Sequence, residues 1–370
     1  MKASPSTRLA QIPPYLFAEL DKKIDAAKAQ GRDIISLGIG DPDLPTPESI
    51  VKALQEAVLD PDTHNYPPYR GTVAFRECAA DWMKSRFGVD VDAQNETLAL
   101  IGSKEGIAHL LTAYIDTSDP NTKDVILCPS PGYPVYQNFT ILLGGEHYTL
   151  PLRPENNFFP DYSQIPADVL KRAKILFLNY PNNPTGALAT DEFINESIRF
   201  CRENNILLCH DNAYSEMTFD GYKAPSFLAY DGAKDVCIEM FSFSKMYNMT
   251  GWRIAFAVGN QDAIDALGKV KSNCDSGVFK AVQKAAMAAL TQPESVLENL
   301  NNIYGKRREL FVKGLNDLGW DYGLPQATFF LWVPVPTGFS DVEFCNLMLE
   351  SCDVVEIGRA SCRERVSSPV

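Results

Sequence analysis

Short apolar runs alternate with amphipathic stretches through the middle of this chain, and that rhythm limits the fold more than any other feature. The runs lie at 97–101, 124–128, 175–179, 206–211, 236–241 and 254–258, with stretches of helical period such as 105–115 and 190–203 between them. Strand-length apolar segments separated by helices make an open, mostly parallel α/β sheet. Such sheets bind ligands outside the C-terminal ends of their strands. The polar residues that follow each run are therefore the candidate site.

Past residue 280 the pattern changes. Segments 283–290 and 295–318 read as long helices, 328–335 as a strand and 340–351 as a further helix. A chain of 370 residues suits one large and one smaller domain. We expect a large domain over 46–280 and a smaller α+β domain over 281–355, which residues 1–45 join. Residues 356–370 continue neither a strand nor a helical period, and they resemble translated sequencing-adaptor read-through. They are expected to be a non-native tail on a C-terminally truncated small domain, with no role for Arg359, Arg363 or Arg365.

Composition narrows the function. The net charge of −13 opposes nucleic acid or an anionic membrane as main partner. No apolar run reaches the ~20 residues of a membrane helix, and residues 1–10 lack the apolar core of a signal peptide. The nine cysteines form no C-x-x-C pair, and none of the four histidines lies four residues from another. No metal is expected, and a reducing cytoplasm fits.

Five strings carry chemistry. The first is Ser242-Phe243-Ser244-Lys245, followed eight residues later by Arg253. A lysine at a strand end, set among hydroxyls and a guanidinium, suits an aldehyde cofactor that carries a phosphate. The amine forms a Schiff base, and Ser242, Ser244 and Arg253 supply phosphate donors. The second is His210-Asp211-Asn212-Ala213-Tyr214. A carboxylate at a buried strand end is costly unless paired. A protonated pyridine nitrogen would pair Asp211, and Tyr214 could donate to the ring's phenolic oxygen. The third, Asn179-Tyr180-Pro181-Asn182-Asn183-Pro184-Thr185-Gly186, forces a turn that presents Asn183. The fourth, Gly102-Ser103-Lys104-Glu105-Gly106, opens a helix and offers an anion site. In the fifth, Pro131-Gly132-Tyr133-Pro134, Tyr133 could lie flat on an aromatic ring. Taken singly, these strings also read as a surface lysine, caps, a turn and a core tyrosine.

Together and in this order, they resemble the fold type I pyridoxal-phosphate enzymes of the class I/II aminotransferase family. The resemblance covers about residues 8 to 355. It implies pyridoxal 5′-phosphate on Lys245, which is also the base of the proton shift. It implies Asp211 at the ring nitrogen, Asn183 and Tyr214 at the phenolic oxygen, and Tyr133 on the ring. Ser103, Lys104, Ser242, Ser244 and Arg253 would surround the phosphate. Tyr66 matches a tyrosine sent into the partner subunit's phosphate site, which implies a homodimer with shared active sites.

Three further strings resemble the bacterial LL-diaminopimelate aminotransferases: Ile12-Pro13-Pro14-Tyr15-Leu16-Phe17, Leu37-Gly38-Ile39-Gly40-Asp41-Pro42-Asp43, and the helix start at 102–110. By that resemblance Tyr15, Gly40, Lys104, Tyr133 and Asn183 contact the substrate. The expected reaction exchanges an amino group between LL-diaminopimelate and 2-oxoglutarate, in lysine biosynthesis. The alternatives are an alanine- or aspartate-type aminotransferase or a β-lyase on the same scaffold. A non-catalytic effector-binding domain of a regulator ranks below them, since residues 1–35 are too short for a DNA-binding module.

Overall fold

The structure is a computed structural model. It describes residues 3–12, 16–38, 40–119 and 121–357, and of residues 16–21 only the backbone. The strands are β1 (Ile35–Ser36), β2 (Thr97–Leu100), β3 (Val125–Ser130), β4 (Glu146–Pro151), β5 (Ala173–Leu178), β6 (Leu207–Asn212), β7 (Cys237–Ser242), β8 (Ala255–Gly259) and β9 (Val354–Val355). Seven of them make one sheet in the order β2-β8-β7-β6-β5-β3-β4. Only β8 runs against its neighbours, pairing antiparallel with β2 and β7. The expectation of a mostly parallel α/β sheet is met, with strand ends displaced by a residue or two. The edge strand β4 was not foreseen. Its Glu146 is exposed and His147 to Thr149 are half-buried, so it lacks an apolar run.

The strands β2, β3, β6, β7 and β8 are buried along their whole length, because helices cover both faces. Among the helices, α1 (Leu16–Ala29) and α2 (Glu48–Val58) precede β2, with α3 (Val73–Phe87) just before it. Then α4 (Ser103–Tyr114) follows β2, and α5 (Val135–Leu143) follows β3. Successive strand residues point to opposite faces. Leu208 and Phe241 therefore join a core with Phe75 and Trp82 of α3. Their neighbours Cys209 and Met240 join a second core with Ile107 of α4 and Tyr136 of α5.

Aromatic packing makes the end of β7 rigid. Trp82 meets Phe241 edge-on at 5.3 Å, and Phe241 stacks on Phe256 at 5.2 Å. Phe243, next in line, is also fully buried. Burial of each such ring contributes roughly 1.5–3 kcal/mol. Ser242, Ser244 and Lys245 thus stand on a fixed support.

The long helix Glu294–Asp317 is tied back by Arg308, which reaches Asp220 at 2.8 and 3.1 Å and lies 4.6 Å over Phe219. The helix Asp341–Cys352 carries a capping box at Ser340 and Glu343. Parallel pairing of β1 with β9 joins residues near the N-terminus to this part of the chain, and Arg32 adds an ion pair to Asp353. The strand expected at 328–335 does not form. Thr328 has φ 65, only Ala327 makes an isolated bridge, to Thr218, and Pro334 and Pro336 remove ladder donors. The segment instead turns Phe329 and Phe330 onto Tyr214. Among the described residues, no helix is long and apolar enough to cross a membrane.

Candidate active site

The strings singled out in the sequence converge at the C-terminal ends of β2, β3, β5, β6 and β7. Lys245 follows β7 in a short helical turn capped by Ser242, whose hydroxyl accepts from the Ser244 amide at 3.2 Å. The Lys245 ammonium donates to Asp41 Oδ1 at 2.5 Å and to the Gly40 carbonyl at 3.0 Å. It also lies 5.7 Å from the centre of the Phe329 ring. The link to Asp41 was not foreseen, although Asp41 stands in the Leu37–Asp43 string.

Asp211 is the penultimate residue of β6, on the α4/α5 side of the sheet, with 5% of its surface exposed. Its Oδ2 accepts from the Tyr136 hydroxyl at 2.8 Å, while Oδ1 is buried with no partner. Burial raises its pKa to about 6, against the opposing pull of Tyr136 and His210. Beneath it, Asn179 ties two parts of the site together. Its Nδ2 donates to the Asp211 carbonyl at 2.6 Å, and its Oδ1 accepts from the Asn183 amide at 2.7 Å. Asn183 in turn hydrogen-bonds the buried Tyr214 phenol.

On the other face of the sheet, the β6/β7 register places His210 opposite Glu239, both fully buried. His210 Nδ1 lies 2.6 Å from Glu239, and its ring stacks on Phe227 at 3.9 Å. Glu239 further accepts from Ser226 and from the Phe227 amide, so its burial is compensated. This network supports the strand ends from behind.

The anion site forms where α4 begins. Gly102 has φ 82, and a Cβ there would lie 2.3 Å from Arg253 Nη2. Only glycine lets the guanidinium lie across the helix start, where first-turn amides lack helical acceptors. Arg253 itself is left-handed at φ 53 and donates to the Thr250 carbonyl at 2.9 Å. Lys104 stands 5.8 Å from the centre of the Tyr133 ring. Desolvation and then the Arg253 charge lower its pKa. Tyr133 packs edge-on against Tyr136 at 5.7 Å.

A family model of class I and II aminotransferases matches residues 32–366. The chain belongs to that family. It is similar to LL-diaminopimelate aminotransferase 2 of Trichormus variabilis, with 54% identity over 94% of this chain and 88% of the relative. The LL-diaminopimelate aminotransferase of Moorella thermoacetica is 51% identical over the same shares. Among solved structures, substrate-bound BacF from Bacillus subtilis superposes with a TM-score of 0.89 at 39% identity, covering 96% of this chain and 89% of that one. The chain is thus an aminotransferase that uses pyridoxal phosphate and acts on amino and 2-oxo acids.

The residues fit that cofactor. A buried carboxylate oxygen without a partner suits a cationic ring nitrogen. The Gly102 cradle under Arg253 suits a phosphate. Of the other expected residues, Gly40 touches this group through its carbonyl, which accepts from Lys245 Nζ. Tyr66 is 86% exposed, beside Tyr69, Ser272 and Asp275. Gly40 lies against Phe330, where a Cβ would come within 2.4 Å of the ring. Tyr15 and the tail arginines Arg359, Arg363 and Arg365 lie outside the described residues.

Tyr136 and Asn179 were missed as site residues. Asn179 stood in a quoted string, and Tyr136 follows Tyr133 by three residues, in the first turn of α5. Glu105, His109 and Asp275 also converge, near α4. Lys271, fully buried, reaches Asp275 at 2.9 and 3.0 Å and Glu105 at 3.3 Å, so an ammonium already balances these acids.

Proposed function

We propose that this chain is an LL-diaminopimelate:2-oxoglutarate aminotransferase in lysine biosynthesis, working in the cytoplasm as a homodimer with shared active sites. Identity of about half over 94% of the chain to enzymes of that name supports the substrate. The single observation that carries the cofactor geometry is the unpaired, buried Oδ1 of Asp211, on the same sheet edge as Lys245.

When bound, pyridoxal phosphate supplies an electrophilic carbonyl and a ring that withdraws electrons from the substrate's α-carbon. Lys245 holds it covalently through Nζ. Displaced by the donor's amine, Lys245 takes the α-proton as base and returns it as acid. Asp211 pairs the ring nitrogen, Asn183 and Tyr214 hold the phenolic oxygen, and Tyr133 lies against the ring. Ser103, Lys104, Ser242, Ser244 and Arg253 bind the phosphate, with Tyr66 reaching the partner subunit's site. Tyr15, Gly40, Lys104, Tyr133 and Asn183 receive the substrate, with the Lys104 ammonium facing a carboxylate. In this reading residues 46–280 form the large domain and residues 1–45 complete a small domain with 281–355.

Two measurements check this. In a donor panel with 2-oxoglutarate as acceptor, LL-diaminopimelate should give the highest kcat/KM. Turnover of alanine or aspartate without diaminopimelate rejects the substrate. Gly102→Ala should raise the cofactor's dissociation constant roughly 5- to 30-fold, because it combines left-handed strain of ~1–2 kcal/mol with a clash against Arg253. Fluorescence titration reads the change, and unaltered affinity removes Gly102 and Arg253 from the phosphate site.

A further inference from the structure

Tyr136 is 1% exposed, and its ring stacks on Phe177 with centroids 4.4 Å apart and planes 6° from parallel. A phenylalanine would fill that space equally well. The hydroxyl is what distinguishes it, and in this apolar layer it donates to Asp211 Oδ2 at 2.8 Å. Burial and the Asp211 charge hold the phenol well above its ordinary pKa, so it remains a donor at every working pH. A carboxylate can rotate about its Cβ–Cγ bond and offer either oxygen. Here one oxygen is engaged and the other, Oδ1, is buried and unpaired. The Asn179 amide fixes the backbone of Asp211 but does not touch its carboxylate.

We propose that Tyr136 is a positioning residue for the cofactor ring: its phenol pins Asp211 Oδ2, which commits Oδ1 to the ring nitrogen. This rests on the assignment of Asp211 as the ring-nitrogen partner. It also gives the start of α5 two tasks, with Tyr133 just before the helix placed beside the ring and Tyr136 in its first turn setting the carboxylate beneath it.

The donation has a second consequence. It favours the ionised form of Asp211, as does the His210 charge, while burial opposes both. The titratable groups that feel Asp211 are Tyr136 from α5, Cys209 and His210 from β6, and Tyr214 beyond it. Removal of the phenol shifts the acid limb of any process that needs the carboxylate to higher pH.

The test uses the full chain with bound pyridoxal phosphate. Tyr136→Phe should keep its thermal midpoint within a few degrees. It should bind the cofactor roughly 10- to 100-fold more weakly, as expected for loss of a hydrogen bond to a charged group. The acid limb of kcat/KM, and of the cofactor's visible absorption, should move upward in pH. Phe177→Leu, which removes the stacking partner but keeps the hydroxyl, separates packing from donation. It should leave both acid limbs in place. An upward shift in Phe177→Leu equal to that in Tyr136→Phe, or none in either, overturns the proposal. Asp211→Asn serves as the control on the underlying assignment. If it retains cofactor affinity and spectrum, the ring-nitrogen reading fails. If it loses them while Tyr136→Phe matches the parent protein, only the positioning role fails.

Discussion

Lys245→Ala protein is expected to leave purification without a borohydride-reducible adduct and with kcat lowered by roughly 10⁴-fold. Two losses add. The covalent attachment disappears, and with it the base that shifts the α-proton, a role worth 10²–10⁴ alone. The variant should nevertheless fold. Lys245 is only partly buried, and the rigid support comes from Phe241, Phe243 and Phe256, which the substitution does not touch. The ion pair that is lost, to Asp41 at 2.5 Å, involves a largely exposed carboxylate and contributes at most about 1 kcal/mol. Mass analysis after reduction decides the matter. A reducible adduct that survives in Lys245→Ala rejects Lys245 as the attachment point.

The elements that could be read from the sequence are those whose signal is local. Strands β2, β3 and β5 to β8 are largely buried on both faces, so each carries a mainly apolar run that the sequence displays. Asp211 closes one of those runs and Gly102, Asn183 and Lys245 follow others within four residues, so strand-end position alone places them near a common edge. What escaped depends on neighbours distant in sequence. The Tyr136 hydroxyl gains meaning only from Asp211, 75 residues on, and His210 from Glu239, 29 residues on across a strand register. β4 escaped because it opens on an exposed Glu146 and a half-buried His147, which break any apolar run. The error at 328–335 has the opposite cause: a run with strand composition was diverted by a left-handed Thr328 and by two consecutive aromatic rings drawn into one pocket. Local propensity yielded there to packing against Tyr214 and Gly40.

Asp211→Asn should divide stability from activity. In the cofactor-free protein, burial raises the Asp211 pKa from 3.8 to about 6. A carboxyl group whose folded pKa lies above its unfolded value favours the fold when protonated. That contribution is present below about pH 4 and is lost as pH rises through about 6, at a cost on the order of 3 kcal/mol. Asparagine cannot ionise, so cofactor-free Asp211→Asn should equal the parent at low pH and exceed its melting temperature by several degrees at pH 8. The holoenzyme should show the reverse. A buried ion pair broken from one side costs about 3–5 kcal/mol, which corresponds to a fall in kcat/KM of roughly 10²- to 10⁴-fold. Melting curves of both forms between pH 4.5 and 8, paired with steady-state rates, measure the two halves of the exchange. If cofactor-free Asp211→Asn gains no stability at pH 8, the buried Oδ1 carries no desolvation cost for a ring nitrogen to relieve. If it gains stability and the holoenzyme keeps its rate, that cost is real but serves something other than the ring nitrogen.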